Sequence, residues 1–406
     1  MVTKLKILLM TQWFDPEPTF KGLLFAKKLQ ESGNQVEVIT GFPNYPGGKI
    51  YEGYKLSLYK REEIDGVIIH RVPLYPSHDG SAIKRIWNYV SFFITSFICG
   101  LFKVTKPDVI YSYHPPLTTA LSAMSLSLFK RRPFVVDIQD LWPDTLAATG
   151  MLNNKKILGV VGWVCKLVYS RASRIIVLSD GFKKILQERG VPSSKVEVVY
   201  NWCDEQALRN PDPCELSLPN NGKRNLVFAG NLGNAQGLPA IINAAELLER
   251  KNVPVNFVLI GDGISKADSL QYVQDNDLKS VFFLPRVPMN QVGSLLRSAD
   301  MLLVHLTDDP LFSITIPSRT QACMAVGKPI VMGVAGDAAR IVESAECGVI
   351  CIPNSAKSLA MGVEKLVSKP DQELQAMGMN AEVFYENNMS VKNGIAEIQR
   401  VFESVL

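Results

Sequence analysis

Short apolar runs bounded by turn residues alternate along this chain with longer stretches whose apolar positions recur three and four apart. Residues 6–10, 35–40, 67–72, 109–112, 134–138, 175–178 and 196–199 read as strands with helical spacing between them. The same rhythm resumes at 226–229, 255–260, 282–287 and 299–304. It breaks at Asn210-Pro211-Asp212-Pro213 and Leu218-Pro219-Asn220-Asn221-Gly222, which is linker chemistry. The pattern predicts an α/β chain of doubly wound parallel sheets, divided into domains at 1–205 and 206–385. Ligands in such sheets gather at the carboxyl ends of strands, so the loops there are where chemistry is sought.

One of those loops stands out. The run Leu226–Ala229 breaks into Gly230, Gly233 and Gly237 and continues as a helix from Leu238. A strand, a glycine-rich turn and a helix start together present free backbone N–H groups to an anion, and glycine allows its close approach. The arrangement is a diphosphate cradle or an ordinary tight turn.

In the first half, Phe20-Lys21-Gly22 follows the first strand in a proline-rich loop, where Lys21 is placed to meet a phosphate or merely lines a solvated loop. His114, one of four histidines, follows the fourth strand, and a lone loop histidine serves structure as readily as chemistry. Asp137, Asp140 and Asp144 surround Trp142 after the fifth strand. They suggest a sugar surface, with acids for hydroxyls and the indole for a ring face, or a helix cap followed by surface acids.

Residues 83–103 form the most apolar stretch, with Trp87, Tyr89, Phe92, Phe93 and Phe97 inside it and Lys84, Arg85, Lys103 and Lys106 around it. It is at the lower limit for spanning a bilayer, and Asn88, Ser91, Thr95 and Ser96 interrupt it. It reads as a helix packed on the sheet, as one lying in a membrane interface, or as both.

Charge sharpens that reading. The net +4 conceals 26 Lys/Arg against 16 Asp/Glu in residues 1–200, and 17 against 23 in residues 201–406. A basic half suits an anionic surface. The basic residues are dispersed and no recognition motif accompanies them, which disfavours nucleic acid as a partner. Seven scattered cysteines with no Cys-x-x-Cys pair argue for reduced thiols and no zinc ribbon. The opening run Lys4–Met10 is too brief for a signal peptide's apolar region and reads as a strand.

The order of Asn201 with Asp204, Gly230–Gly237, Gly261-Asp262-Gly263, Ala299-Asp300 and Gly327-Lys328-Pro329 resembles the retaining GT-B nucleotide-sugar glycosyltransferases of family four. Asp140-Leu141-Trp142-Pro143, Gly230-Asn231-Leu232-Gly233 with Gln236-Gly237, and Pro317-Ser318-Arg319 look more narrowly like the bacterial L-fucosamine (N-acetylfucosamine) transferases of O-antigen and capsule synthesis. The resemblance implies two Rossmann-like domains facing across a cleft, with a C-terminal helix at about 386–406 packed back on the first. It implies transfer from a UDP-sugar to an undecaprenyl-diphosphate-linked acceptor, without metal or other cofactor, in the cytoplasm at the inner face of the plasma membrane. Donor contacts are then expected from Gly230, Asn231, Gly233, Gln236, Gly237, Asp262, Gly263, Arg286, Pro317, Ser318 and Arg319. Acceptor contacts are expected from Phe20, Lys21, Gly22 and Trp142, catalytic positioning from His114 and Asp140, and peripheral membrane contact from Trp87, Tyr89, Phe92, Phe93 and Phe97.

The chain departs from the family at Asn231 and Gln236, where many members carry Arg and Lys, and Arg319 is the substitute cation. The family's glutamate pair is absent: Ala322 and Ile314 stand at its spacing, and Asp308 and Asp309 align only with a gap. A GT-B UDP-sugar epimerase is the alternative. No carboxylate pair of glycosidase type is evident. A dinucleotide oxidoreductase lacks its Gly-x-Gly-x-x-Gly here.

Overall fold

The computed structural model describes residues 4–77, 82–148, 150–152 and 154–406. Its first sheet comprises β1 (Lys6–Met10), β2 (Gln35–Gly41), β3 (Lys60–Ile64), β4 (Val67–Val72), β5 (Val109–His114), β6 (Phe134–Ile138), β7 (Arg174–Val177) and β8 (Val196–Val198), in the order β3-β4-β2-β1-β5-β6-β7-β8. The second comprises β9 (Arg224–Ala229), β10 (Val255–Ile260), β11 (Val281–Leu284), β12 (Met301–His305), β13 (Ile330–Gly333) and β14 (Gly348–Ile350), in the order β11-β10-β9-β12-β13-β14. Every neighbouring pair is parallel except β3–β4. Each position of β5, β6 and β10 is buried. Helices on both faces of a parallel sheet require that, which is why these strands read as mostly apolar runs, broken by buried Ser112, His114, Asp137 and Asn256, rather than alternating ones.

β3 is a strand the sequence reading missed. Its composition, Lys-Arg-Glu-Glu-Ile, is that of a charged edge, which discourages pairing with another chain. The signal was present nonetheless. Asp65-Gly66 between Ile64 and Val67 takes positive φ at both residues, 50° and 80°, the conformation of a two-residue hairpin turn.

The chain divides into two compact units. The first runs to Leu178 and adds Phe182–Val199 and Ile395–Leu406; the second is Ser179–Gly181 with Tyr200–Gly394. They exchange at 199/200 and 394/395, against the 205/206 and 385/386 read from the sequence. The linker-like stretch belongs to the second unit, because Cys214, Leu216 and Leu218 pack against its core. The end of the last helix (Val391–Glu403) lies on the first unit, where Phe402 meets Tyr111 edge-on at 5.7 Å and Gln399 accepts a hydrogen bond from Asn34 at 2.8 Å.

Each sheet reverses its winding once, between β1 and β5 in the first unit and between β9 and β12 in the second. At such a point the connections leave to opposite faces and open a crevice at the strands' carboxyl ends. In the second unit the β9–β12 ladder pairs only Leu226 with Met301 and Val227 with Leu302 before both strands run on.

Candidate functional site

In the second unit, the turn after β9 and the turn after β10 lie side by side. Gly230 N–H donates to Ile260 O at 2.9 Å, and Leu232 N–H donates to Asp262 O at 2.8 Å. The approach is closer than side chains permit. A Cβ on Gly261 would stand 1.9 Å from Gly230 O, and one on Gly263 would stand 2.4 Å from Leu232 O. Both glycines also hold positive φ, at 145° and 159°.

Arg319, in the first turn of the helix Ser318–Val326, lays its guanidinium over the Phe228 ring at 4.2 Å and against Gly230, where an added Cβ would meet its Nε at 3.0 Å. It has no ion pair or hydrogen bond among the described residues, and its buried Nη1 is unpartnered. Burial lowers its pKa to about 10, which still leaves the group fully charged at neutral pH. An unneutralised cation held beside a glycine turn at a topological switch point is an anion site in the making.

The remaining expected donor residues divide by exposure. Asn231 and Gly230 are exposed at the turn, as are Asp262, Arg286 and Ser318, while Gly263 and Pro317 are half-buried. Gln236 is corrected. It is buried, and its Oε1 accepts from Gly233 N–H at 3.1 Å, so its carboxamide shapes the turn instead of replacing a phosphate-binding lysine. Gly237, at φ 61°, begins the helix Leu238–Arg250. Asp262 accepts from Gly263 N–H at 2.9 Å.

The sequence reading missed His305. It ends β12, is fully buried, and its Nδ1 lies 2.8 Å from Gln236 O, so Nδ1 carries the proton and donates. Its ring fills the space that Cβ atoms on Gly237 and Gly333 would need, at 2.8 and 2.3 Å. Burial lowers its pKa and the Arg319 charge adds to that, against the opposing pull of the Gln236 carbonyl. A histidine at the end of a switch-point strand was the available signal.

In the first unit, His114 ends β5 at the switch point, fully buried and edge-on to Trp142 at 5.4 Å. Neither ring nitrogen has a partner among the described residues, and burial depresses its pKa to about 4. Asp140 is half-buried, and burial raises its carboxyl pKa. Trp142 is corrected: it is only 8% exposed, packed between His114 and Tyr89, and offers no open ring face.

Lys21 is corrected likewise. It is fully buried and ion-paired with Asp137, which also accepts from Tyr111 Oη and from Gln139 Nε2 at 2.5 Å. Asp137 is therefore not free for hydroxyls, and Asp144 pairs with Arg189. Phe20 is half-buried, and Gly22 sits where a Cβ would collide with Asp15 Oδ2 at 2.1 Å. Asp15 accepts from Leu23 N–H at 2.6 Å, capping the helix Leu23–Glu31. Glu17, also missed, is buried and accepts from the N–H groups of Phe14, Asn44 and Tyr45, tying two loops together. Among the membrane candidates Trp87 is 60% exposed, and Tyr89, Phe93 and Phe97 are half-buried. Phe92 is corrected, because it lies wholly in the core.

Residues 216–384 match the family "Glycosyl transferases group 1", and residues 23–202 match "Glycosyl transferase 4-like domain". Over 90% of this chain and 93% of the relative, the chain is 27% identical to "Putative colanic acid biosynthesis glycosyl transferase WcaI" of Escherichia coli K12. Over 65% of this chain and 67% of the relative, it is 25% identical to "Probable glycosyltransferase WbjE" of Pseudomonas aeruginosa. The fold is that of Anabaena Alr3699/HepE, solved in complex with UDP and glucose (TM-score 0.64, 17% identity, 98% of this chain and 100% of that one). It is also that of WaaG, a glycosyltransferase involved in lipopolysaccharide biosynthesis (TM-score 0.61, 13% identity, 98% and 99%). The epimerase alternative finds no support among these relatives.

Proposed function

Starting from a chain whose two halves match glycosyltransferase families and that has the GT-B glycosyltransferase fold, we propose that it transfers N-acetyl-L-fucosamine from its UDP-sugar to a lipid-linked oligosaccharide, with retention of configuration, in bacterial capsule or O-antigen synthesis. The unpaired Arg319 guanidinium beside the Gly230 turn carries this reading. UDP leaves with developing negative charge, and a preorganised cation and backbone N–H groups stabilise that charge without a metal. His305 and Gln236 hold the turn in place from behind. The UDP complexes of the Anabaena neighbour support a UDP-linked donor.

The acceptor is undecaprenyl-diphosphate-linked and is received by the first unit near His114 and Asp140. His114 is neutral at working pH, and neither of its buried ring nitrogens has a partner among the described residues. The enzyme works in the cytoplasm as a peripheral protein of the inner membrane face. Release of UDP from a panel of UDP-sugars, with and without a lipid-diphosphate-linked acceptor, tests the reading. Acceptor-dependent release from UDP-N-acetylfucosamine supports it, release from another sugar retains the transferase with a different donor, and acceptor-independent interconversion of the sugar refutes it.

A further inference from the structure

The helix Ala82–Phe102 combines buried polar side chains with exposed large apolar ones. Its polar side chains face inward. Asn88 is buried and bonds Gln12 and the Tyr75 carbonyl, Ser96 is buried against Ser122, and Thr95 donates to Pro73 O. Part of its apolar surface faces outward, with Trp87, Ile94, Ile98 and Phe102 between 47% and 74% exposed, while Phe92 and Cys99 are buried. The inward hydrogen bonds tie this helix to the loops after β1 and β4 and to the helix Leu117–Lys130, so it does not cross a bilayer by itself.

Two further helices of the first unit continue this surface. Leu117–Lys130 packs directly against Ala82–Phe102, with Phe129 edge-on to Phe97 at 5.4 Å, and it exposes Leu128 (55%) and Phe129 (68%). On its other flank lies Lys155–Arg171, which exposes Ile157 (41%), Val160 (61%) and Trp163 (65%). All three helices are crossovers of one parallel sheet and lie in one layer, so their outward faces make one surface.

Charge identifies what this surface meets. Residues 82–106, 117–132 and 154–174 contain 12 Lys/Arg and no Asp/Glu. The rest of residues 1–200 then holds 14 Lys/Arg against 16 Asp/Glu, so the basic excess of the first half resides wholly in this layer. The cations sit at the helix ends: Lys84, Arg85, Lys155 and Lys156 at one rim, and Lys103, Lys106, Lys130 and Arg131 at the other. An apolar centre with tryptophans, on helices that carry cations and no acid of their own, with Asp108 pairing Arg132 at their edge, is complementary to an anionic lipid leaflet and repels an equally basic second copy.

We propose that the first unit docks on anionic membrane through this three-helix face, and that Lys155–Arg171 is a second membrane-contacting helix beside Ala82–Phe102. The inference rests on the membrane-linked acceptor reading above and extends it to a helix outside the five aromatic residues named there. Trp163 and Val160 enter the headgroup boundary, while Lys155 and Lys156 meet lipid phosphates.

Co-sedimentation of the full chain with phosphatidylglycerol–phosphatidylcholine vesicles tests this, with pure phosphatidylcholine as the comparison. The wild type is expected to partition onto the anionic vesicles and to be released by salt. Val160→Ser/Trp163→Ser is expected to weaken partitioning by roughly tenfold or more. Lys155→Gln/Lys156→Gln is expected to weaken it by roughly thirtyfold at low salt, about fivefold per cation. Both pairs are exposed, and their turnover on a water-soluble acceptor analogue should match the wild type. If the helix 155–171 variants bind as wild type while Ile98→Ser/Phe102→Ser does not, the second helix is refuted and the membrane reading stands. If the wild type ignores anionic vesicles yet turns over the soluble acceptor, the docking face is refuted and the transferase stands. Equal binding to both vesicle types overturns the electrostatic part, and quenching of Trp163 fluorescence by brominated lipid in a Trp87→Phe background checks insertion independently.

Discussion

Replacing Arg319 separates a binding residue from a structural one. Burial lowers its pKa from 12.5 to about 10, so the folded state holds a charge it disfavours. Taken at face value, that shift is a penalty of about 3 kcal/mol, an upper figure since the group is only partly enclosed. Its stacking on Phe228 at 4.2 Å returns about 0.5–1 kcal/mol. Arg319→Ala is therefore expected to leave stability unchanged or raise it by up to ~2 kcal/mol. The penalty is constant wherever the group stays charged in both states, which is below the folded pKa of about 10. The stability difference from wild type should thus be flat between about pH 6 and 9. Turnover should fall about 10²–10³-fold, the usual loss when one preorganised charge stabiliser is removed. UDP should raise the melting temperature of the wild type and fail to raise that of the variant at the same concentration. UDP-release kinetics and thermal melts with and without UDP provide both readouts. Full turnover by the variant, or a destabilised variant that keeps its UDP shift, would refute the reasoning.

His114 is neutral in the fold down to pH about 4, so the unfolded chain binds more protons between about pH 4 and 6.5, and stability should rise with pH through that window. His114→Phe should remove a slope worth up to about 3 kcal/mol, measured by urea unfolding at several pH values, and turnover should show no inflection from this ring between pH 6 and 8. Gly261→Ala places a methyl 1.9 Å from Gly230 O at positive φ. It should weaken UDP binding at least tenfold and destabilise by roughly 1–3 kcal/mol, checked by calorimetry and denaturant titration. Lys21→Met leaves Asp137 buried without its cation and should cost about 3–5 kcal/mol. Lys21→Met/Asp137→Leu should recover much of that loss in the same unfolding assay, and no recovery would show that Tyr111 and Gln139 depend on the carboxylate.

The strands were legible because burial on both faces leaves mostly apolar residues, as in β10, where Asn256 is the one polar residue. β3 was not, because an edge strand made of Lys, Arg and Glu carries no apolar signature, and only Asp65-Gly66 marked it. The turns at Gly230 and at Gly261-Asp262-Gly263 were legible as turns because glycine is required where two backbones close within side-chain distance. The partners of polar residues were not. Lys21 reads as an exposed ligand until Asp137 is brought to it from 116 positions away, and Gln236 reads as a phosphate contact until its carboxamide is seen closing its own turn. Composition marked residues 83–103 as apolar without saying which way they face. The answer depended on Asn88 and Ser96 finding partners inside the domain.

The return of the last helix to the first unit sets an order of events during synthesis. Tyr111 and Asn34 receive Phe402 and Gln399 only after the whole second unit, Tyr200–Gly394, has been translated. At about 5–20 residues per second those 195 residues take roughly 10–40 s. Throughout that interval the first sheet is formed but one of its covering elements is still on the ribosome. The nascent first unit therefore exposes the apolar surface around Tyr111 and Phe25 that Phe402 later covers. Chaperones have a defined period in which to act, and the first unit completes its core only once residues 395–406 have been released.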